Sequence, residues 1–326
     1  MIARNANFSQ NISIVHPEYF FITGLSDIPH SSFYYIFLFF TYFIAVIANS
    51  VVLFIIALDQ SLHSPKYIGV FNLALADIGE ANALIPNMMK TFLFDSQYIS
   101  YNSCLANMYF VFLFNTMQCF TLVVLAYDRF MAICLPLRYH AIVTNTSMSS
   151  IFLAIWTLNA FLMALTVSLL TRLSFCKSNV IQSYFCDHGP IYKLACNDNS
   201  MSSHMAKLST ALYLVTPLII IVLSYLGIFL TLSRITTWEG RLKALKTCVS
   251  HLLLVGMFFL PIICTYIAAL MLSLSPNARV ISTSLAYVVP PMLNPIIYVL
   301  NTAEIKDLIR KFLKNKSAPI RESISK

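Results

Sequence analysis

The sequence predicts an all-α membrane protein: a bundle of seven transmembrane helices with the N-terminus outside the cell, and then a short cytoplasmic amphipathic helix. The 326 residues are 58% hydrophobic and only 10% charged, whereas a soluble domain carries about a quarter charged residues. Seven stretches are apolar over the ~20 residues that a helix needs to cross a hydrocarbon core about 30 Å thick. Helices are expected because backbone groups in lipid must be satisfied within their own segment.

Polar and proline residues mark several of the seven segments. Asp77 and Glu80 interrupt the second segment, and a proline-rich stretch around Asn294 interrupts the seventh. Pro217 and Pro261 lie inside the fifth and sixth segments and predict kinks there. In chain order, the segments are 33–58, 67–89, 104–133, 148–170, 205–232, 247–272 and 280–300.

These segments divide the chain into three parts. Residues 1–32 form an extracellular segment, residues 33–300 the seven-helix domain, and residues 301–326 a cytoplasmic helix and tail. Within 302–314, apolar residues recur at helical spacing and basic residues fill the other face. This pattern predicts a helix that lies in the membrane interface in contact with lipid, with a solvated basic tail as the alternative.

The basic residues decide the orientation. With the N-terminus outside, fourteen of the 21 Lys and Arg residues fall on the cytoplasmic side, as the positive-inside rule requires. The net charge of +8 is therefore a topology signal, and no phosphate loop, zinc-spaced cluster or nucleic-acid module in the sequence indicates a nucleic-acid partner. Asn7 and Asn11 begin Asn-X-Ser triplets in the outer segment and are candidate glycosylation sites.

The eight cysteines divide by depth. Cys104 lies at the outer start of the third segment, and Cys176, Cys186 and Cys196 lie in the outer loop between the fourth and fifth segments. Disulfides persist in the oxidising compartment that this side faces. Four cysteines allow three pairings, and their spacing does not choose among them. The other four lie within or below the membrane and are expected to be reduced packing residues.

An acid–base pair ends the third segment. Asp128 and Arg129 follow the uncharged stretch 108–126. An arginine at the membrane edge is costly unless it is paired, and the adjacent carboxylate can compensate its charge. The pair is then either a static contact that fixes the third helix at the interface, or a switch that frees the guanidinium when it opens.

Four motifs resemble those of one family. Residues 125–134 (LAYDRFMAIC), 136–139 (PLRY), 246–251 (KTCVSH) and 291–298 (PMLNPIIY) are similar to signatures of the vertebrate odorant (olfactory) receptors, which are rhodopsin-like G-protein-coupled receptors. The resemblance extends from about residue 20 to 315. His140 and the residues of the 246–251 motif are more similar to the fish-type (class I-like) branch of the family.

The resemblance implies a function and a set of switch residues. It implies a receptor of the plasma membrane of sensory cilia that binds a small odorant within the bundle and activates a heterotrimeric G protein, one that stimulates cyclic AMP formation. It implies the disulfides Cys104–Cys186 and Cys176–Cys196. The implied coupling residues are Asp128, Arg129, Tyr225, His251, Asn294, Pro295 and Tyr298, with Arg129 meeting Tyr225 in the active state. For His251, a pH-sensing role and plain packing between helices are the alternatives.

The intramembrane acids allow a cation site. Asp77 resembles the sodium-associated acid of the wider receptor family, with Asn294 nearby. Where relatives often carry a glutamate on the third helix, this chain has Gln118, which removes one negative charge from a sodium site. Glu80 is outside the general pattern, and pairing, protonation and a share in the cation site are the alternatives for it.

Ligand sites in bundles are mostly apolar with a few placed polar groups. Val111 occupies the position where amine-binding relatives place an aspartate, so a cationic amine is not expected. By depth and resemblance, the candidate ligand contacts are Phe112, Asn115, Thr116, His188, Phe259, Ile263, Tyr266, Ser284 and Tyr287.

Other functions remain as alternatives. A non-olfactory chemosensory receptor on the same scaffold is the nearest. A secondary transporter could use Asp77 and Glu80 but would show repeat symmetry, which the sequence lacks. An intramembrane enzyme would need a nucleophile–base or metal constellation, and none is recognisable in the sequence. No cofactor is expected.

Overall fold

The computed structural model describes residues 14–25, 28–93, 96–176, 178–235, 237–271, 274–301, 304–308 and 310. Seven helices in this part of the chain are long and apolar enough to span a membrane, and the predicted all-α bundle of seven transmembrane helices is confirmed. They are α1 (Ser31–Leu58), α2 (Pro65–Leu93), α3 (Tyr101–Cys134), α5 (Asn145–Leu170), α7–α8 (Ser200–Thr210 and Thr216–Arg234), α9 (Trp238–Met271) and α10 (Pro276–Asn301). Two short helices lie in loops, α4 (Pro136–Ile142) and α6 (His188–Lys193).

Several helices begin before the apolar segment that predicts them. The largest difference is at α9, which begins at Trp238, whereas the hydropathy pattern predicts residue 247. The added turns include Glu239 and Arg241, because backbone hydrogen bonding continues beyond the lipid wherever the sequence permits a helix. At the start of α3, the Ser103 amide donates to the Ser100 hydroxyl over 3.3 Å, which caps the helix at its first turn.

Pro217 and Pro261, the two prolines that predict kinks, lie in continuous helices. A π turn, Ala211–Val215, joins α7 to α8 directly before Pro217. Pro217 has no N–H to donate to the preceding turn, and in the π turn before it the backbone bonds run from i+5 to i. Pro261 lies within α9, which continues to Met271.

A small sheet lies at one end of the bundle. Strand β1 (Tyr19–Ile22) is central, antiparallel to β2 (Tyr98–Ser100) and parallel to β3 (Val180–Ile181). The N-terminal segment therefore joins the α2–α3 and α5–α6 loops. The hydropathy pattern does not predict these strands, because each has only two to four residues. We call this end the sheet end, and the opposite end, where α3 terminates beyond Arg129, the Arg129 end.

Buried polar side chains join the helices. Asn49 donates through Nδ2 to the carbonyls of Ala45 and Pro291 at 2.9 and 2.8 Å, which connects α1 to α10. Trp156 donates through Nε1 to the Asn72 side chain at 3.0 Å, which connects α5 to α2. Such bonds are the expected means of satisfying polar groups in lipid. Helix α3 is the central element and packs against α2, α5, α8 and α9.

Two disulfides fix the loop before α7. The structure joins Cys104 to Cys186 and Cys176 to Cys196, the pairing that the resemblance implies. Cys186 is fully buried and attaches this loop to the first turn of α3. The other cysteines are free thiols, of which Cys119 and Cys248 are buried.

Candidate ligand cavity and Arg129-end contacts

A cavity of about 440 Å³ opens between the helices near the sheet end. Its walls are α3, α5, α7 with the π turn, α9 and α10, and its roof is the loop with α6. The lining residues are Met108, Tyr109, Phe112, Asn115, Thr116, Met163, Thr166, Val167, Ser183, Asp187, His188, Gly189, Pro190, Lys193, Ala206, Ser209, Thr210, Tyr213, Leu214, Phe258, Ile262, Thr265, Tyr266, Arg279, Val280, Thr283, Ala286 and Tyr287.

Six of the nine candidate contacts line this cavity. They are Phe112, Asn115, Thr116, His188, Tyr266 and Tyr287. They come from three helices and one loop, so the tertiary fold brings together residues that are far apart in sequence.

Phe259, Ile263 and Ser284 are not among the residues that line the cavity, so the cavity does not support them as ligand contacts. Each is replaced by the residue before it, Phe258, Ile262 or Thr283. One residue turns a helix by about 100°, so an error of one position points a side chain to another neighbour.

Phe259, Ile263 and Ser284 contact other parts of the bundle. Phe259 is buried in the apolar core below the cavity, and Ile263 packs against the same core. The Ser284 hydroxyl lies 2.6 Å from the Tyr34 hydroxyl, so it faces α1.

The α5 and α7 walls are absent from the predicted set. Met163, Thr166 and Val167 on α5 and Ser209 and Thr210 on α7 all line the cavity. Their segments are apolar or weakly polar on every face, so hydropathy does not distinguish the side that faces a cavity from the side that faces lipid. No signal in the sequence singles them out.

Asn115 connects the cavity to a buried carboxylate. Its Nδ2 donates to Oε1 of Glu80 at 2.9 Å, and Nε2 of Gln118 donates to Oε2 of the same carboxylate. Glu80 is buried on α2. Two side-chain amides of α3 each donate a hydrogen bond to one of its carboxylate oxygens. Pairing is therefore the arrangement that the structure gives for Glu80.

Asp77 is bound in a similar way one turn earlier. Nδ2 of Asn294 donates to both oxygens of Asp77, at 3.1 and 3.0 Å, and connects α10 to α2. Asp77 supplies carboxylate oxygens, which are the ligands that a hard cation such as sodium prefers, whereas the Gln118 amide is bonded to Glu80. A bound sodium ion would neutralise the buried carboxylate.

The roof contributes the imidazole of His188 and the charged side chains of Asp187 and Lys193, and the first turn of α10 adds Arg279. His188 is 7% exposed, and its burial lowers its pKa to about 4. Asp187 accepts from the Gly189 amide at 3.3 Å and caps α6. Burial raises the pKa of Asp187, while that N–H, Arg279 and Lys193 oppose the rise.

At the Arg129 end, the acid–base pair is closed. Nη1 of Arg129 lies 3.7 Å from Oδ2 of Asp128. The Tyr139 hydroxyl on α4 donates to Oδ1 of Asp128 at 2.7 Å. Asp128 is only 1% exposed. Its carboxylate is held from two sides, by Arg129 on α3 and by Tyr139 on α4.

His251 joins three helices close to this pair. Its Nε2 lies 3.0 Å from the carbonyl oxygen of Leu122 on α3, and its Nδ1 lies 2.8 Å from the Tyr225 hydroxyl on α8. A carbonyl only accepts, so Nε2 carries the proton and Nδ1 accepts from Tyr225. Tyr225 is thus bound to His251 and not to Arg129.

Two further residues of the predicted coupling set, Tyr298 and Pro295, are buried on α10. Tyr298 is buried in the apolar core that also contains Phe259, and its hydroxyl has no hydrogen-bond partner in the described part of the chain. Pro295 follows Asn294 on α10 and is also buried.

The arrangement of the seven helices matches a class of solved structures. It superposes on the crystal structure of squid rhodopsin with a TM-score of 0.73, over 93% of this chain and 91% of that one, at 17% identity. At this identity the match shows the fold, a seven-helix bundle of the rhodopsin type.

Sequence comparison gives the family. The olfactory receptor family model matches residues 38–316. The chain is 36% identical to human olfactory receptor 1F1 over 294 residues, 90% of this chain and 94% of that relative. It is 35% identical to mouse olfactory receptor 1E16 over 302 residues, 91% and 95% of the two chains. The chain belongs to the olfactory receptor family: it is an odorant-sensing G-protein-coupled receptor and a multi-pass plasma-membrane protein, and not an enzyme.

Proposed function

We propose that an odorant in the cavity near the sheet end biases the contacts of α3, α8 and α9 at the Arg129 end, and so controls coupling to a G protein. The cavity is lined by Phe112 and Thr116 of α3 and by Phe258 and Tyr266 of α9. The same two helices carry Arg129 and His251. A ligand that fits better when α3 and α9 are displaced relative to each other shifts the population toward that state.

The observation that carries this proposal is the position of His251. Its two hydrogen bonds tie α9 to α3 and α8 beside an arginine that is paired with Asp128. Outward movement of α9 would break both bonds and release the Tyr225 hydroxyl. Tyr225 could then accept a hydrogen bond from Arg129, which is the active-state contact that the family resemblance implies.

Four further assignments belong to this proposal. The sheet end faces outside, because both disulfides lie there and disulfides persist in oxidising compartments. The Arg129 end faces the cytoplasm, where Leu137 on α4 is 99% exposed and is a candidate contact for the G protein. The G protein is of the stimulatory type, and the receptor resides in sensory cilia.

The three-part division of the chain is also proposed. Residues 304–308 and 310 are helical, and Ile305 packs against the bundle core, as expected for a helix that lies along the membrane after residue 301. The remainder of the predicted tail helix lies outside the described residues. Asn7 and Asn11 also lie outside them, and glycosylation at both positions is part of the proposal, as is sodium binding at Asp77.

Cyclic AMP in cells that express the stimulatory olfactory-type G protein tests the coupling proposal. Cells carrying the wild type and Arg129→Ala would be exposed to an odorant panel, with surface staining to separate trafficking from signalling. Arg172→Ala is a matched control, because Arg172 is exposed at the sheet end, away from the coupling residues. A response lost only in Arg129→Ala is the expected result, and an equal response in all three would contradict the coupling role of Arg129.

A further inference from the structure

The threonine hydroxyls of the cavity wall are already bound within their own helices. Each donates its proton to a backbone carbonyl one turn earlier, at 2.7–3.0 Å. The donor and acceptor residues are Thr166 and Leu162, Thr210 and Ala206, Thr265 and Pro261, and Thr283 and Arg279. These hydroxyls retain lone pairs but have no proton left for a ligand.

The polar groups at the bottom of the cavity are also occupied. The Thr116 hydroxyl is bonded to backbone carbonyls of α3 and to Asn159 on α5. The Asn115 amide donates to Glu80. A ligand that took either donor would have to break a bond between helices.

His188 differs from all of these groups. Neither of its ring nitrogens has a hydrogen-bond partner among the described residues, and Nε2 is fully buried. A buried polar atom without a partner is rare in proteins and needs an explanation. Because the side chain lines the cavity, a ligand can supply the missing partner.

The position of this imidazole is fixed by its surroundings. The neighbouring Cys186 is bonded to α3 through Cys104, and Asp187 caps the helix that His188 begins. The Tyr192 ring lies against the imidazole with 5.4 Å between centroids. A contact from His188 would therefore be made at a defined point of the roof, as recognition of a small molecule requires.

The charged residues that line the cavity lie in its roof and in the first turn of α10. Asp187 is accompanied by Lys193 and by Arg279, whose guanidinium donates to the Gln182 carbonyl. The walls contributed by α3, α5, α7 and α9 carry no charged lining residue in the part of the chain that the structure describes. A charged group on a ligand below the roof would lack a counter-ion there, and burying an unpaired charge is strongly unfavourable.

We propose that the cavity selects uncharged, mainly hydrocarbon molecules that carry one oxygen-containing group, such as a ketone, ester or alcohol, and that the His188 imidazole hydrogen-bonds that oxygen. This inference rests on the proposed function, since it names the ligand class of the same cavity. A neutral imidazole has one N–H and one lone pair, so it donates to a carbonyl oxygen or accepts from a hydroxyl. The hydrocarbon part lies against Met108, Phe112 and Phe258.

Matched ligand sets test both parts of the proposal. Each set would contain a hydrocarbon, its methyl ketone, its carboxylate and its primary ammonium, on linear, cyclic and aromatic skeletons. Binding would be measured as the rise in unfolding temperature of the purified full-length receptor, and signalling as the cyclic AMP response. The receptor variants would be His188→Phe, His188→Leu and His188→Gln, with Tyr192→Phe as the control that leaves the imidazole and the ring contact in place.

We expect the ketones to bind best in the wild type. His188→Phe and His188→Leu should each lose about tenfold in ketone affinity, the size of one net hydrogen bond, and little in hydrocarbon affinity. His188→Gln should retain more of the preference, and Tyr192→Phe should retain all of it. Two apolar variants of different size are used so that a folding defect in one does not decide the result.

Three other results would each contradict a different part of the proposal. Best binding by a carboxylate or an ammonium would overturn the ligand class. An unchanged ketone preference in both apolar variants would overturn the role of His188. If no member of any set bound to or activated a properly folded wild-type receptor, the proposed function of the cavity itself would be wrong.

Discussion

The Tyr225 hydroxyl and Nδ1 of His251 lie 2.8 Å apart and join α8 to α9 at the Arg129 end. The two rings are stacked nearly parallel, with an interplanar angle of 6° and centroids 5.7 Å apart. The second nitrogen of His251 is bound to the Leu122 carbonyl of α3. One side chain therefore joins α3, α8 and α9, the three helices whose contacts change in the proposed coupling mechanism.

Removing this side chain should raise basal signalling. In His251→Phe the ring volume stays similar, but two buried hydrogen bonds of about 1 kcal/mol each are lost. The closed state then loses part of its advantage, and we expect basal cyclic AMP to rise by roughly three- to tenfold at equal surface level. His140→Phe, in the α4 loop helix, is the matched control. Basal activity equal to the wild type would mean that His251 only packs.

Glu80 should contribute more to the free energy of unfolding than a buried carboxylate usually does, because it accepts two side-chain hydrogen bonds. In Glu80→Leu the amides of Asn115 and Gln118 both lose their acceptor. Two buried, unsatisfied donors are expected to lower the free energy of unfolding by about 2–4 kcal/mol. Glu80→Gln, which keeps one acceptor oxygen, should lose less.

Thermal unfolding of the purified receptor measures this difference. Glu239→Leu is a suitable control, because Glu239 is exposed at the start of α9. If Glu80→Leu unfolded at the wild-type temperature, the hydrogen bonds to Glu80 would have no net stabilising effect.

Removal of the two disulfides should destabilise the receptor by different amounts. Cys104–Cys186 closes 82 residues of sequence and Cys176–Cys196 closes 20. The entropy of the unfolded chain predicts that removal of Cys104–Cys186 lowers the free energy of unfolding by about 4–5 kcal/mol, and removal of Cys176–Cys196 by about 3 kcal/mol. The paired Cys→Ser replacements at each bond would be compared by thermal unfolding.

The first pair of replacements should also reduce ligand response more than the second. Cys186 lies two residues before His188 and attaches the roof to α3, whereas Cys176 is exposed. Equal ligand responses from the two double variants at equal surface level would be inconsistent with this role of the roof.

The stability of the receptor should depend on pH through His188. Its pKa in the folded protein is about 4, below the ~6.5 expected for the unfolded chain. Between these values the unfolded state binds the extra proton, so stability is full above pH 6.5, falls toward pH 4 and does not fall further below it. The loss from this group is at most about 3 kcal/mol.

Thermal unfolding from pH 8 to 4 tests this dependence, and His188→Gln should flatten the curve. Ligand binding should be constant between pH 8 and 6, because the imidazole stays neutral there. A wild-type curve identical to that of His188→Gln would contradict the prediction. The other titratable or charged groups that share the cavity lining with His188 are Asp187, Lys193, Arg279, Tyr109, Tyr213, Tyr266 and Tyr287.

The number and approximate position of the spans could be predicted from the sequence alone. A membrane helix is a local structure, and its length and apolar composition are set by the thickness of the bilayer. The olfactory receptor motifs around Asp128 and Asn294 identified the family for the same reason, since each is a short run of consecutive residues.

The tertiary structure decided which faces meet. Phe258 lines the cavity and Phe259 does not, yet both are phenylalanines in one apolar segment. Their difference depends on the rotation of α9 about its axis, which is set by packing against α3 and α10. The pairing of Glu80 with Asn115 and Gln118 likewise required the contact between α2 and α3.

Composition and motif thus determined that this chain spans a membrane seven times and belongs to the olfactory receptors. The bond between His251 and Tyr225, the central position of β1 and the unpartnered imidazole of His188 were decided only by the tertiary structure. The physical reason is that hydrophobic burial in lipid acts on each segment separately, whereas a hydrogen bond requires two particular side chains from different segments to meet within about 3 Å.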